Sequence, residues 1–303
     1  MKIKHTAIRT LNKFRLSLFL GLAICLSMTQ PALAEEAASD EAIKADDQST
    51  AEEPSAKSGT VFATHIAHNS DELAKQLSNP IASLISVPFQ YNYIRTYGDN
   101  GYKNLLNIQP VVPISISEDW NLISRTIVPV IQQKNVQPDR SQFGLGDITE
   151  SVWFSPKKPS SSGLIWGVGA VALIPTGTDS IGADSWGFGP TVIVLKQDGP
   201  WTYGALANQV WDTSGPADIS SMFLQPFLAK GLGQGRTVSI NSESTYDWNS
   251  HDWTVPITLS FSKVSKWGNQ MVSNQVGAGW YATTPDGGPD WQLRYALTLL
   301  FPK

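Results

Sequence analysis

Few residues of this chain could act as nucleophiles or metal ligands. The single cysteine, Cys25, lies in the apolar part of an N-terminal segment that we expect to be removed, so the mature chain has no thiol. His65 and His68 have a spacing that could hold a metal ion, but no third ligand accompanies them. The sequence therefore predicts no metal site and no cofactor.

One histidine, His251, could take part in acid–base catalysis, with Asp247 and Asp252 close to it in the sequence. A serine hydrolase needs a histidine beside its nucleophile, and His251 alone could supply it on the predicted outer side. A solvated loop histidine explains the same residues. We expect no catalytic residues and no enzyme activity; a surface-acting enzyme on lipid or peptide is an alternative that depends on His251.

Charged residues within segments of alternating polar and apolar character are better functional candidates. Such charges share the polar face of a strand, and in a barrel this face lines the lumen, because Arg or Lys facing lipid costs about 2–4 kcal/mol. A charged lining can select solutes, and a salt-bridge network that fills the interior fits the same residues. The candidates are Arg125, Asp147, Glu150, Glu243, Asp247 and Arg294, with only one of Asp147 and Glu150 expected to face inward.

The segments that carry these residues alternate with a period of two. From residue 291 to residue 301 the odd positions are apolar, and Gln292 and Arg294 are among the even ones. The apolar face is about ten residues long, as a tilted strand needs to cross a bilayer. All eleven tryptophans follow residue 80, most of them at segment ends, where an indole ring favours the membrane interface.

Twelve such segments predict an all-β fold, a transmembrane antiparallel β-barrel of about 12 strands of the outer-membrane type. An even count places both termini on one side, where the connections are the shorter ones on average. Prolines within the segments argue against a closed ladder, because proline lacks the N–H group, and a secreted all-β sandwich is the alternative fold. The segments lie near 83–95, 103–116, 120–133, 142–155, 164–175, 186–197, 201–211, 219–230, 237–248, 253–264, 269–282 and 291–302.

The N-terminal region divides into three parts before the barrel, which we place at 81–303. Residues 1–34 have a basic start, a short apolar run and an Ala-x-Ala site, which predicts a cleaved signal peptide. Residues 35–57 carry eight acidic residues against two lysines and predict a disordered linker. Residues 58–80 predict a short periplasmic segment with one helix near 71–77, which either plugs the lumen or caps the first strand.

Pairs of glycines two residues apart lie inside predicted strands, not at the strand-to-helix turn of a phosphate loop, which excludes nucleotide binding through them. On one face of a strand such a pair leaves space in the lumen or eases close packing. The pairs are Gly144/Gly146, Gly167/Gly169, Gly187/Gly189 and Gly277/Gly279. Charges beyond residue 57 nearly balance, so we expect no nucleic acid partner.

Short motifs from residue 71 to residue 303 resemble a family of Gram-negative outer-membrane proteins filed under a phenol-degradation meta-pathway and described as transporters. They are residues 71–80 (DELAKQLSNP), 84–90 (LISVPFQ), 120–125 (WNLISR), 144–147 (GLGD), 154–156 (FSP), 199–201 (GPW) and 299–303 (LLFPK).

The resemblance implies a channel or transporter in the cell outer membrane for small solutes, including hydrophobic or aromatic ones. Its expected partners are outer-membrane lipid, the barrel assembly machinery and a small-molecule solute. A filled structural or surface-binding barrel is a further alternative.

Overall fold

A computed structural model describes residues 70–96, 101–136, 140–179 and 181–302. The predicted signal peptide, the acidic linker, His65 and His68 lie outside the described residues. Within them, the chain folds as one short helix followed by β-strands to residue 301.

The strands form one antiparallel sheet that closes on itself, because the last strand pairs with the first along its whole length. The described residues contain 15 β-segments, and three strands of the barrel consist of two segments each: β2 with β3, β5 with β6, and β11 with β12. The barrel therefore has 12 strands, which confirms the predicted fold.

The segments are β1 (Ile85–Thr96), β2 (Tyr102–Ile108), β3 (Val111–Ser115), β4 (Trp120–Lys134), β5 (Ser141–Leu145), β6 (Ile148–Pro156), β7 (Leu164–Ile174), β8 (Trp186–Asp198), β9 (Trp201–Ser214), β10 (Ser220–Gly233), β11 (Arg236–Asn241), β12 (Ser244–Asp247), β13 (Asp252–Trp267), β14 (Gln270–Thr283) and β15 (Pro289–Phe301).

The two ends of the barrel differ in the length of their connections. At the end that holds the start of β1 and the end of β15, which we call the terminal end, β8 is joined to β9 and β13 to β14 by two residues each. Gly199 and Gly268 occupy these turns with φ of 54° and 59°, a conformation that glycine adopts without a steric cost. The opposite end, which we call the loop end, has the longest connection, between β7 and β8.

Several prolines lie at or beside the interruptions of the divided strands, where no ladder hydrogen bond is lost. Pro110 lies between β2 and β3. Pro129 lies beside the interruption between β5 and β6, where its carbonyl accepts a hydrogen bond from Gly146 N at 2.9 Å. Pro226 and Pro256 flank the interruption between β11 and β12 and accept hydrogen bonds from the backbone and hydroxyl of Ser242. The prolines are therefore compatible with a closed barrel.

The inner wall of the barrel has an apolar half and a polar half. Along β8, Ile193 and Leu195 are buried inside while Val192 and Val194 are exposed outside, as the period of two requires. The apolar half carries a core cluster from β4, β6, β8, β9 and residue 81. On the polar half, β11, β13, β14 and β15 bury mainly hydroxyl, amide and charged side chains: Thr237, Thr258, Ser260, Ser273, Gln292, Arg294 and Thr298.

A helix over residues 70–77 lies against the inside of the terminal end. Its apolar face, Leu73 and Ala74, packs on Val264 of β13 and Leu300 of β15. It ends before Pro80, because a residue that precedes proline disfavours the helical conformation. No helix among the described residues is long and apolar enough to cross a membrane.

Polar contacts extend from this helix to separate parts of the wall. Asp71 Oδ1 accepts a hydrogen bond from Gly235 N, in the turn between β10 and β11, at 2.5 Å. The carbonyl of Lys75 accepts one from Gln197 of β8 at 2.9 Å. The helix and the residues that follow it therefore contact β8, β10–β11, β13 and β15, and cross the terminal end of the lumen.

Candidate functional site

Arg294 and Glu243 form an ion pair inside the barrel. Nη1 and Nη2 of Arg294 donate hydrogen bonds to Oε1 and Oε2 of Glu243 at 2.9 and 2.8 Å, and Nε donates to Asn92 Oδ1 at 2.7 Å. The Arg294 side chain is 4 % exposed and the Glu243 side chain 29 %. Two parallel charge-assisted bonds are the strong form of this interaction and fix both groups in orientation.

Two local features of the strands allow this contact. Glu243 lies in the interruption between β11 and β12, where the chain leaves the ladder. On β14, the residue opposite Arg294 is Gly277, so no side chain blocks the guanidinium on its way to Glu243. Gly279, two residues further along β14, has the same role. Gln292 of β15 reaches across it and donates a hydrogen bond to Thr258 of β13 at 2.7 Å. This glycine pair allows close packing of the neighbouring side chains, one of the two roles that the sequence predicted.

Arg125 projects from β4 into the same space but has a different environment. Its guanidinium carbon lies 5.4 Å from the centre of the Trp153 ring. Its Nε is buried and has no hydrogen-bond partner among the described residues. Glu243 and Glu150 are close enough to act on it electrostatically. Arg125 is therefore a cation held beside an aromatic ring, not one that is paired directly with an acid.

These three charged residues line one cavity of about 290 Å³. The helix and the residues after it line its terminal end, through Ala74, Leu77 and Leu84 among others. Polar residues of β11, β14 and β15 line one side, and apolar residues such as Val111 and Phe227 line another. Of the six predicted lumen residues, the structure thus brings Arg125, Glu243 and Arg294 together around one cavity.

Asp147 lies in the interruption between β5 and β6 and holds the connection between β7 and β8. Its two carboxylate oxygens accept hydrogen bonds from Gly177 N at 2.9 Å and Ala183 N at 2.6 Å. Thr178 of this connection donates its N–H to the carbonyl of Leu145, and its hydroxyl accepts a hydrogen bond from Leu145 N. Both bonds lie on the edge of β5 that has no neighbouring strand. Asp147 fastens a loop to the wall and does not line the cavity.

Glu150 requires a correction, because the register places it on the outer face of the barrel. Glu150 pairs with Thr126 of β4. It lies four residues before Phe154 on β6, so the two side chains share one face, and Phe154 is 49 % exposed. Between Ile127 and Val130 of β4, the partner strand has one additional residue at 146–148. This bulge inverts the alternation that follows it. The carboxylate accepts hydrogen bonds from Ser124 and Thr126, at 2.6 and 2.5 Å.

Asp247 is also placed outside the cavity, at the exposed rim of the loop end. Its Oδ1 accepts hydrogen bonds from the backbone N–H groups of Asn249 and Ser250, so it shapes the turn between β12 and β13. His251 lies in this turn with φ of 61°, and its ring is 3.5 Å from the hydroxyl of Tyr246. The hydrogen bonds found in the described residues include none between His251 and a serine.

Two features of the site, Trp153 and Asn92, were not predicted as functional. Trp153, which the sequence suggested as a membrane-interface residue, is 1 % exposed and lies in the core beside Arg125. The same bulge explains this, because it places odd residues of β6 inside. Asn92 is a polar residue in an alternating segment, and this pattern could have indicated that its side chain faces the lumen. The helix, which the sequence predicted either to plug the lumen or to cap the first strand, lines the terminal end of the cavity.

The fold and lumen define this chain as a β-barrel of the outer-membrane, porin-like type. An outer membrane channel from Pseudomonas putida F1 is similar, with 13% identity, coverage of 72% of this chain and 94% of that chain, and a TM-score of 0.58. Weaker likeness extends to outer membrane phospholipase A from Escherichia coli, with 11% identity, coverage of 72% and 90%, and a TM-score of 0.43. The KdgM porin in complex with oligogalacturonate has 12% identity, coverage of 72% and 99%, and a TM-score of 0.43.

At such identities the likeness is one of fold. No family model matches the chain. No curated protein matches it either.

Proposed function

We propose that the protein is a channel or transporter for small solutes in the cell outer membrane. The observation that carries this proposal is the lumen cavity, which the charged residues Arg125, Glu243 and Arg294 line. A barrel with a purely structural role would fill its interior with packed side chains, whereas this lumen keeps a cavity of about 290 Å³. The terminal end would face the periplasm, since the start of β1, the end of β15 and the two-residue turns lie there.

The helix over residues 70–77 acts as a plug in this proposal. It lies on the terminal end of the cavity and is held there by hydrogen bonds with Gly235 and Gln197 and by an apolar cluster, among other contacts. The helix takes no part in the strand ladder, so it can leave without breaking the backbone hydrogen bonds that close the barrel. Its release would connect the cavity with the periplasm.

Hydrophobic or aromatic solutes are the class that the lining supports best. Phe227, Val111 and Leu84 offer apolar surface to the cavity, beside polar residues such as Gln225 and Gln109. The resemblance to the phenol-degradation family suggests the same class. On the outer face, exposed apolar residues and tryptophans near strand ends, such as Trp186 and Trp267, suit contact with outer-membrane lipid. Insertion by the barrel assembly machinery belongs to this proposal, which involves no cofactor and no enzymatic step.

Single-channel conductance in planar bilayers tests the proposal. The mature protein would be compared with a variant that lacks residues 58–78, and with a matched control that lacks residues 35–57 and keeps the helix. Folding of all three would be checked by the shift in gel mobility on heating. We expect the deletion of 58–78 to raise the conductance several-fold and the control deletion to leave it unchanged.

Two results would count against the proposal. If all three folded proteins are silent, the barrel is not a channel, and a filled, surface-binding barrel replaces it. If the mature protein conducts and the deletion of 58–78 changes nothing, the barrel is a channel and the helix is not its plug. Replacement of His251 by alanine should leave the conductance unchanged.

A further inference from the structure

One cation of the cavity lining, Arg125, forms no ion pair with an acid among the described residues. Three charged residues line the cavity, and Arg294 and Glu243 neutralise each other through two hydrogen bonds. Arg125 remains, and its Nε has no partner among the described residues. Glu150 lies on the opposite face of the sheet, and its carboxylate is bound by two hydroxyls. The cavity therefore carries one positive charge that its own lining leaves unpaired.

A second unsatisfied group faces the same way as Arg125. Ser151 lies directly opposite Arg125 in the ladder, on the inner face, and its Oγ is buried without a partner among the described residues. Residues opposite each other in antiparallel strands have Cβ atoms about 4.5–5.5 Å apart, so Ser151 lies beside Arg125, but of the two only Arg125 lines the cavity. Buried polar groups are rarely left unpaired, so the unpartnered Nε of Arg125 indicates that a ligand or ordered water completes the site.

The chemistry of these groups defines the ligand head. A guanidinium donates hydrogen bonds in a planar fork, and a carboxylate offers two oxygens that accept them. The Trp153 ring, 5.4 Å from the guanidinium carbon, holds Arg125 in position. A ligand with a single negative charge matches the single unpaired cation of the cavity lining.

The rest of the cavity defines the body of the ligand. Its volume, about 290 Å³, is about twice the ~150 Å³ that accepts a benzene molecule in an engineered protein cavity. Leu77, Leu84, Val111 and Phe227 present apolar surface to it. We therefore propose that Arg125 is the anchor of a binding site for a small monocarboxylate with an apolar body, of about the size of benzoate. This inference rests on the proposed function, because it names the solute class of the same lumen.

The test is titration calorimetry of the folded mature protein in detergent, with benzoate as the probe and benzyl alcohol as a neutral control of the same size. The variants are Arg125→Gln and, as a matched control, Lys230→Gln, because Lys230 also lies over a tryptophan ring but on the outer face. We expect benzoate affinity to fall about tenfold or more in Arg125→Gln and to stay unchanged in Lys230→Gln. Benzyl alcohol should not distinguish the three proteins.

A second variant protects the test against misfolding. Arg125→Lys keeps the charge and removes the fork of donors, so its benzoate affinity should lie between those of the wild type and Arg125→Gln. Unchanged benzoate binding by folded Arg125→Gln or folded Arg125→Lys would overturn the proposal, as would the absence of benzoate binding to the wild type. Binding in detergent does not depend on conduction. A silent barrel that binds benzoate through Arg125 therefore refutes the channel alone, and a conducting barrel that does not bind it refutes the site alone.

Discussion

Arg294 and Glu243 are joined across the lumen by two parallel hydrogen bonds, although the strands β13 and β14 lie between them in the sheet. A side chain of β15 thus holds a residue at the interruption between β11 and β12, where the ladder itself is broken. The pair compensates for the missing ladder bonds by a contact through the interior. It follows that neither residue can be removed alone without leaving the other charge in the lumen.

Replacement of either residue by alanine should lower the free energy of unfolding by about 3 kcal/mol, because it leaves an unpaired charge. The loss should be larger for Glu243→Ala, because it leaves Arg294 without its acid, and the Arg294 side chain is only 4 % exposed. In Arg294→Ala the remaining Glu243 side chain is 29 % exposed and can be hydrated. Urea unfolding in liposomes, followed by tryptophan fluorescence, measures both. Glu118→Ala, at an exposed turn of the terminal end, is the control. Additive losses in the double variant would contradict a coupled pair.

Gly279→Ala should lower the free energy of unfolding by about 1–3 kcal/mol, as overpacking does. Its Cβ would lie 2.7 Å from Thr258 Oγ1 and 3.1 Å from Gln292 Cγ, so it would break the hydrogen bond between these side chains. Gly231→Ala in β10 is a matched control, because its Cβ would meet only Pro200 O at 3.6 Å. The same unfolding assay applies. Equal stabilities of the two variants would show that the contact across Gly279 is unimportant.

The architecture could be predicted from the sequence because the period of two persists through most strands. Each predicted strand ends within three residues of an observed one. Where the alternation is regular, as around Arg294, the sequence also predicted correctly which residues face the lumen. The signal failed where the register shifts: one additional residue at 146–148 placed Glu150 outside and Trp153 inside. A bulge changes the face on which the following residues lie, and the residue types around it do not reveal its presence.

The site was harder to predict than the fold, because it depends on contacts between distant residues. Arg294 meets Asn92 across 202 positions of the chain, and Gln197 meets Lys75 across 122. Charge and alternation placed Glu243 and Arg294 on the same face, but they do not say which acid a given arginine binds. The isolation of Arg125 is visible only when its neighbours in space are known.

Asp147→Ala should loosen the connection between β7 and β8 and leave the barrel folded. It removes the acceptor of two loop N–H groups, Gly177 and Ala183, each bond being worth about 1.5–3 kcal/mol because the acceptor is charged. We expect cleavage by an external protease at this loop to become several-fold faster in proteoliposomes. Asp179→Ala, an exposed residue of the same loop, is the control. Equal cleavage rates in the two variants would show that Asp147 does not fasten the loop.

Glu150→Gln should raise the free energy of unfolding by about 1 kcal/mol, because it removes a charge from the lipid-facing side. The effect is small because a lipid-facing acid is less unfavourable than a lipid-facing Arg or Lys. The glutamine amide oxygen still accepts from Ser124 and Thr126, whereas Glu150→Leu removes the acceptor and should be less stable than Glu150→Gln. Urea unfolding of both variants in liposomes gives the comparison. Glu150 and Arg125 also act on each other electrostatically through the sheet. A loss of stability in Glu150→Gln would therefore show that this attraction outweighs the cost of the outward charge, and that Arg125 is partly compensated from outside the lumen.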